Sequence, residues 1–371
     1  MKTILTLAAT LLLAYGSTAA PNAVPACDDT GTVVHTAKPR RVKGSERLVT
    51  RDLGRIGAYE VLYVSDGIEA VVSAAVSTLV ITADDNVIDR IVTRSDGKRL
   101  TMRIDARSIT DCTVRAVIPA SAALRTLEAE SMGTIRCEVP LGNGPVTVRS
   151  SEGSRIAADI RTGDDIRVHV SGCSRFEGAL KGNNCKITVT EGSVFDAPLT
   201  CKVHGEILLD ASGRFAGDTS AGNSLHIKAA NGSVMQGNAD ADVVLVHATA
   251  SSHYNGSISA AGQAELKSTD GSVIAGAFAG GHIYAVSTAS SRIALTGSTP
   301  VPSAVIEVAS GSRFSAPALP VRNCSVTATS SGHAEVRCTG ELLATTSSGG
   351  TVFYNGDCRV TTNNPYVRKQ D

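Results

Sequence analysis

The sequence predicts an all-β chain: a right-handed parallel β-helix, or β-solenoid, of about 20 residues per coil with an N-terminal β cap. Three observations carry this. A short sentence recurs about every twenty positions, a period that marks solenoids and related arrays. It reads Gly153-Ser154-Arg155-Ile156, Cys173-Ser174-Arg175-Phe176, Gly192-Ser193-Val194-Phe195 and Ser212-Gly213-Arg214-Phe215, and runs on through Ser251-Ser252-His253-Tyr254 and Ser290-Ser291-Arg292-Ile293 to Gly311-Ser312-Arg313-Phe314. Between copies apolar residues alternate with polar ones, as in Ile166/Val168/Val170, Ile207/Leu209, Leu225/Ile227, Val243/Leu245 and Val305, the two-residue period of half-buried strands. No stretch carries apolar residues at helical spacing.

In chain order, residues 1–20 read as a secretory signal, with Lys2, an apolar run from Ile4 to Ala14 and small residues up to Ala20. That run is too short to span a bilayer. Residues 21–45, with Pro21, Pro25, Pro39 and a basic Lys38-Pro39-Arg40-Arg41 stretch, read as a flexible leader. Val24-Pro25-Ala26-Cys27 offers a lipidation reading of Cys27, against which the long polar gap after the apolar run counts. Over residues 46–128 the period is lost while strand character persists, in Tyr59 to Val64, Leu79 to Ile81, Arg99 to Ile104 and Val114 to Ile118. A solenoid must cover its apolar end, and an atypical terminal segment is the usual device. Residues 129–358 hold the repeats and 359–371 a polar C-terminal tail.

Within each repeat the large apolar residue (Phe176, Phe195, Phe215) belongs to an interior ladder at the strand spacing of about 4.8 Å. The Gly and Ser residues belong to corners, where positive φ or local side-chain hydrogen bonds are needed. A propeller blade would need about forty residues. The parallel crossover rule gives the right-handed coil.

The chain has 371 residues, with 35 basic side chains balancing 35 acidic ones. This neutrality argues against a nucleic-acid partner, which requires a concentrated positive surface. Only 4% of residues are aromatic and Trp is absent, which counts against a glycan cleft built on stacking aromatics. Nine cysteines in an exported chain invite disulfides. Cys185 and Cys201 recur as Cys324 and Cys338 in segments that resemble each other. Because Cys185 and Cys324 fall where other coils carry Ile166 or Leu225, they read as buried small hydrophobes rather than as bridges. No Cys-x-x-Cys pair occurs, and neither a metal nor a cofactor is expected.

The run Asp66-Gly67-Ile68-Glu69, the strand near Leu79 to Ile81, Asp85-Asn86, Asp96-Gly97-Lys98-Arg99-Leu100, Ile118-Pro119 and the closing Ser348-Gly349-Gly350-Thr351-Val352-Phe353-Tyr354-Asn355-Gly356 resemble a family of exported bacterial proteins. It is the putative auto-transporter adhesin, head GIN domain family. The resemblance covers nearly the whole mature chain and departs at Glu69, where Asn is expected. It implies a β-helical envelope protein with an adhesion role and brings no catalytic residues.

Two constellations invite chemistry. Glycoside hydrolysis needs two facing carboxylates, and Glu177 and Asp196, each following the inward aromatic, form the one adjacent acidic pair. The residue before the inward ladder points outward, so Arg155, Arg175, Arg214, His253, Arg292 and Arg313 form an interrupted basic stripe suited to a polyanion. The structural alternative pairs these arginines with Glu152 or Glu191 in the turns. His169 and His226 read as exposed polar positions. The expectation is therefore an exported, non-enzymatic protein in the periplasm or on the outer surface of a Gram-negative bacterium, which adheres to or binds an envelope or host glycan of anionic type. A polysaccharide lyase or hydrolase is the alternative, and a structural envelope scaffold the third reading.

Overall fold

The computed structural model describes residues 41–106, 108–362 and 365–370. The segment read as a secretion signal, most of the leader and Cys27 lie outside the described residues. The described chain is nearly all strand, wound as parallel coils into a β-solenoid of about 12 turns. A single turn of 3-10 helix occupies Ile88–Arg90.

Each copy of the repeated sentence builds one corner. Two consecutive residues take left-handed backbone, as Glu191 (φ 56) and Gly192 (φ 69) or Ser330 (φ 49) and Ser331 (φ 62) do. This pair reverses the chain within two residues, and Gly, Asn and Ser tolerate it best. The next residue, usually Ser, turns inward and is fully buried. Its hydroxyl accepts the backbone N–H of the equivalent serine one coil earlier: Ser174 N–H donates to Ser193 Oγ at 3.1 Å and Ser291 N–H to Ser312 Oγ at 3.1 Å. The serines are thus interior ladder residues as well as corner residues, which satisfies backbone donors buried away from water.

Two positions further on, Ile156, Phe176, Phe195, Phe215, Met235, Tyr254, Ile274, Ile293 and Phe314 lie opposite one another in unbroken register, all of them buried. A second interior ladder runs through Val168, Ile187, Ile207, Ile227, Val246 and Leu266. Here the alternation read from sequence slips by one residue. Val244 and Val246 are buried, whereas Val243 and Leu245 are only half-buried; likewise Ile306 faces inward and Val305 is 43% exposed. The run Val243 to Val246 is apolar at both parities, so its own pattern cannot choose a face, and the neighbouring coil's register does.

The N-terminal region contains coils in an order that departs from the chain. Val61–Val64 lies between Arg99–Ile104 and Thr126–Ala129, parallel to both. Glu69–Ser73 lies likewise between Val114–Pro119 and Thr134–Cys137. The segment that lost the period therefore supplies two coils, the second in sequence being the outer one. The terminal coil is then covered by antiparallel strands: Ile91–Ser95 runs against Arg99–Ile104, Val80–Asp84 against Val114–Pro119, and Leu48–Asp52 against Val80–Asp84. Buried Asp84 ties this end together, its Oδ1 accepting Glu46 N–H at 2.6 Å and its Oδ2 accepting Thr113 N–H at 2.7 Å.

Strand structure reaches into both flanking segments. Arg41–Lys43, inside the stretch read as leader, pairs with Ser108–Thr110. Arg359–Thr362 and Val367–Lys369, inside the stretch read as tail, pair with the last complete coil.

Candidate functional site

The outward position before the aromatic ladder forms a continuous column: Arg155, Arg175, Val194, Arg214, Val234, His253, Val273, Arg292 and Arg313 lie opposite one another in successive coils. Every basic member is exposed. The column divides by partner. Arg155 Nη2 donates to Glu177 Oε2 at 2.6 Å, Arg175 Nε to Glu177 Oε1 at 2.5 Å and Arg175 Nη2 to Asp196 Oδ2 at 2.6 Å. Arg313 Nη2 donates to Glu335 Oε1 at 2.6 Å. Glu177 stands two residues along from Arg175 in the same coil, and in the other pairs the partner stands two residues along and one coil up, because the ladder sets the next coil's outward residue beside the guanidinium. Glu152 instead accepts a hydrogen bond from Ser131 Oγ at 2.7 Å.

Arg214, His253 and Arg292 make no ion pair or side-chain hydrogen bond among the described residues. The reason lies in the neighbouring outward column, where Ala216, Gln236, Asn255, Ala275 and Ala294 stand beside them. These five positions carry no carboxylate, and Asp196, opposite Ala216, is held by Arg175. Valines separate Arg214, His253 and Arg292, so these side chains recur every second coil, about 10 Å apart at the strand spacing. That separation is close to the screening length of physiological salt, about 8 Å, so their mutual repulsion is small.

The structure brings Glu177 and Asp196 together on adjacent rungs and also neutralises them. The Arg155 guanidinium, followed by that of Arg175, holds the Glu177 carboxyl below its usual range against an opposing desolvation effect. A glycosidase general acid needs the opposite shift.

A shallow cleft of about 610 Å³ opens on another outward face, lined by Arg167, Asn184, Lys186, His204, Glu206 and His226 among others. The ladder breaks register between Gly182 and Asn184 there. Lys186 Nζ pairs with Glu206 at 2.8 Å, and His204 Nδ1 lies 2.8 Å from Ser224 Oγ. Asn184 Nδ2 donates to Asp165 at 2.9 Å while its Oδ1 is buried without a partner. The sequence marks His226 as an exposed polar position; only the coil register gathers it with His204, Lys186 and Glu206. Among the described residues, no group of three or more His, Cys, Asp and Glu side chains is arranged to hold a metal, and no helix is long and apolar enough to cross a membrane.

The family model described as putative auto-transporter adhesin, head GIN domain matches residues 58–233 and 205–358. Solved structures similar to the chain include a putative adhesin from Parabacteroides distasonis ATCC 8503, at 16% identity over 89% of this chain and 100% of that one, with a TM-score of 0.35. A putative adhesin from Bacteroides fragilis NCTC 9343 is 13% identical over 74% of this chain and 99% of its own, with a TM-score of 0.32. A putative lipid binding protein from Parabacteroides distasonis ATCC 8503 is 16% identical over 90% of this chain and 100% of its own, with a TM-score of 0.27. No curated protein matches the chain.

Proposed function

This chain belongs to the putative auto-transporter adhesin, head GIN domain family, and on that premise we propose that it is an exported, non-enzymatic envelope protein that binds an anionic glycan along one edge of its solenoid. The observation that carries this reading is the partnerless run Arg214, His253 and Arg292 in one outward column. Two arginines without ion-pair partners, with a histidine between them in regular succession, are arranged for an external polyanion. Their two-coil spacing, about 10 Å, is the length of a disaccharide, so a polymer with one acidic group in every second sugar fits the column. Gln236 and Asn255, both exposed beside it, offer amide donors and acceptors for sugar hydroxyls.

The paired cations Arg155, Arg175 and Arg313 extend the column without carrying the binding, since exposed pairs hold their charges locally. The salt-bridged state of Glu177 and Asp196 speaks for binding over hydrolysis. Function is placed in the periplasm or on the outer surface, where such polyanions occur.

The test compares two triple variants of the mature chain on an array of acidic and neutral polysaccharides. Changing Arg214, His253 and Arg292 together to Ser abolishes binding to acidic polymers. Changing Arg155, Arg175 and Arg313 together leaves most of it. Equal losses, or release of new reducing ends from any polymer, would overturn the proposal.

A further inference from the structure

One interior corner of the solenoid holds a pair of cysteines beside the cleft, and a second pair recurs in later coils. In the ladder between Leu180–Val189 and Leu199–Leu209, Cys201 lies opposite Gly182 and Cys185 opposite Gly205. Both thiols face the interior and each residue is 3% exposed. Gly205 makes room for the thiol: a Cβ built there would sit 3.1 Å from Cys201 Sγ and 2.9 Å from Leu225 Cδ1. Cys185 Sγ lies 3.9 Å from the carbonyl oxygen of Thr200, the residue before Cys201.

The arrangement returns in the duplicated coils. Cys338 lies opposite Val321, which stands three positions before Cys324, as Gly182 stands three before Cys185. Cys324 and Cys338 are both buried, and Cys338 Sγ lies 3.5 Å from the carbonyl oxygen of Arg322, two residues before Cys324. Other coils fill these places with single hydrophobes, such as Leu225 opposite Gly205 and Ala221 opposite Cys201. Filling alone therefore does not call for cysteine at both places at once, twice.

We propose that Cys185 bonds to Cys201, and Cys324 to Cys338, as disulfides that staple one coil to the next when the exported chain meets a disulfide oxidant such as oxidised glutathione. In each pair one cysteine, as the thiolate, attacks a sulfur of the oxidant and expels one thiol, leaving a mixed disulfide. Its partner loses a proton, attacks the mixed disulfide at the protein sulfur, and expels the second thiol. Two protein thiols become one disulfide while the oxidant takes up both electrons and both protons. Cys185 borders the cleft. The attacking roles fit the acidity of each pair: the Cys201 thiol holds Cys185 below the ordinary thiol range, and the Cys324 thiol lowers Cys338 to about 6.

Cys358, half-buried beside Cys338, is the competitor for the second bridge. The eight described cysteines stand as free thiols. Mature chain is treated with oxidised glutathione at neutral pH, denatured, alkylated, digested and mapped by mass. The expected result is one linked peptide joining Cys185 to Cys201, a second joining Cys324 to Cys338, and loss of alkylation at all four. Cys201→Ser restores alkylation of Cys185 and leaves the other link intact. Should that variant fail to fold, the wild-type map decides alone. Full alkylation of the four after saturating oxidant would sink the proposal, and a link from Cys338 to Cys358 would overturn its second half.

Discussion

The ring of Phe195 stacks on that of Phe215, with centroids 4.8 Å apart and planes 12° from parallel. The separation equals the spacing between hydrogen-bonded strands, so the coil rise itself sets the ring contact. Phe176 continues the stack below at 5.1 Å. Replacing Phe195 with Ala removes the middle ring and leaves a cavity that two flanking coils cannot close without losing register. The expected cost is about 3–5 kcal/mol, read as a lowered denaturation midpoint in urea; a loss under 1 kcal/mol would mean that the ladder relaxes freely.

The buried serine column carries a second prediction. Ser252 N–H donates to Ser272 Oγ at 3.3 Å, and Ser272 is fully buried. Ser272→Ala strands that donor away from water, at a cost of about 1–3 kcal/mol. Ser272→Thr keeps an acceptor and costs less if the added methyl fits. Amide hydrogen exchange at Ser252 distinguishes the two, with faster exchange expected only in the Ala variant.

Glycine governs one corner by contact. At Gly237 (φ +139), an added Cβ would lie 2.0 Å from the carbonyl oxygen of Gly217 in the preceding coil, and Gly256 meets Gly237 in the same way at 1.9 Å. Gly237→Ala must therefore push two coils apart and is expected to destabilise by well over 1 kcal/mol. At Gly163 nothing lies within 4 Å of the added atom, so Gly163→Ala is expected to be neutral. Matching midpoints for the two variants would refute the contact argument.

Acid stability follows from Glu177. Its folded value is lowered, first by the hydrogen bond from Arg155. The stabilisation is therefore complete above the unfolded value of about 4.5 and is lost as pH falls through the lower folded value. Melting temperature should be level between neutrality and about pH 5, then fall on acidification. Glu177→Gln should melt slightly lower at neutral pH and converge with the wild type in acid. The effect is small because the pair faces solvent.

The solenoid was legible because its period is written in every corner: Phe176, Phe195 and Phe215 announce their ladder by position alone. What could not be read is whatever depends on which coil lies next to which. Val61–Val64 sits between strands that come much later in the chain, and nothing local to Val61 records that neighbour. The partners of Arg155 and Arg175 were sought in their own turns, yet the register supplies Glu177 and Asp196 from the coils above. The same gap concealed the meeting of Cys185 with Cys201, since the corner brings together rungs that the sequence holds sixteen residues apart.

The division of the basic column gives the last prediction. Arg175 is separated from Arg214 by one valine rung, as Arg214 is from His253, so it continues the same two-coil spacing but is silenced by Glu177 and Asp196. Changing these two carboxylates to Gln and Asn frees Arg175, and Arg155 beside it, to meet a ligand. Exposed ion pairs are worth up to about 1 kcal/mol, so affinity for an acidic polysaccharide should rise by up to about fivefold for each freed cation, with steeper salt dependence. Titration calorimetry at two salt concentrations measures both. An enzyme using the carboxylate pair would respond in the opposite sense, losing product formation in the same double variant, and the two readings cannot both survive that experiment.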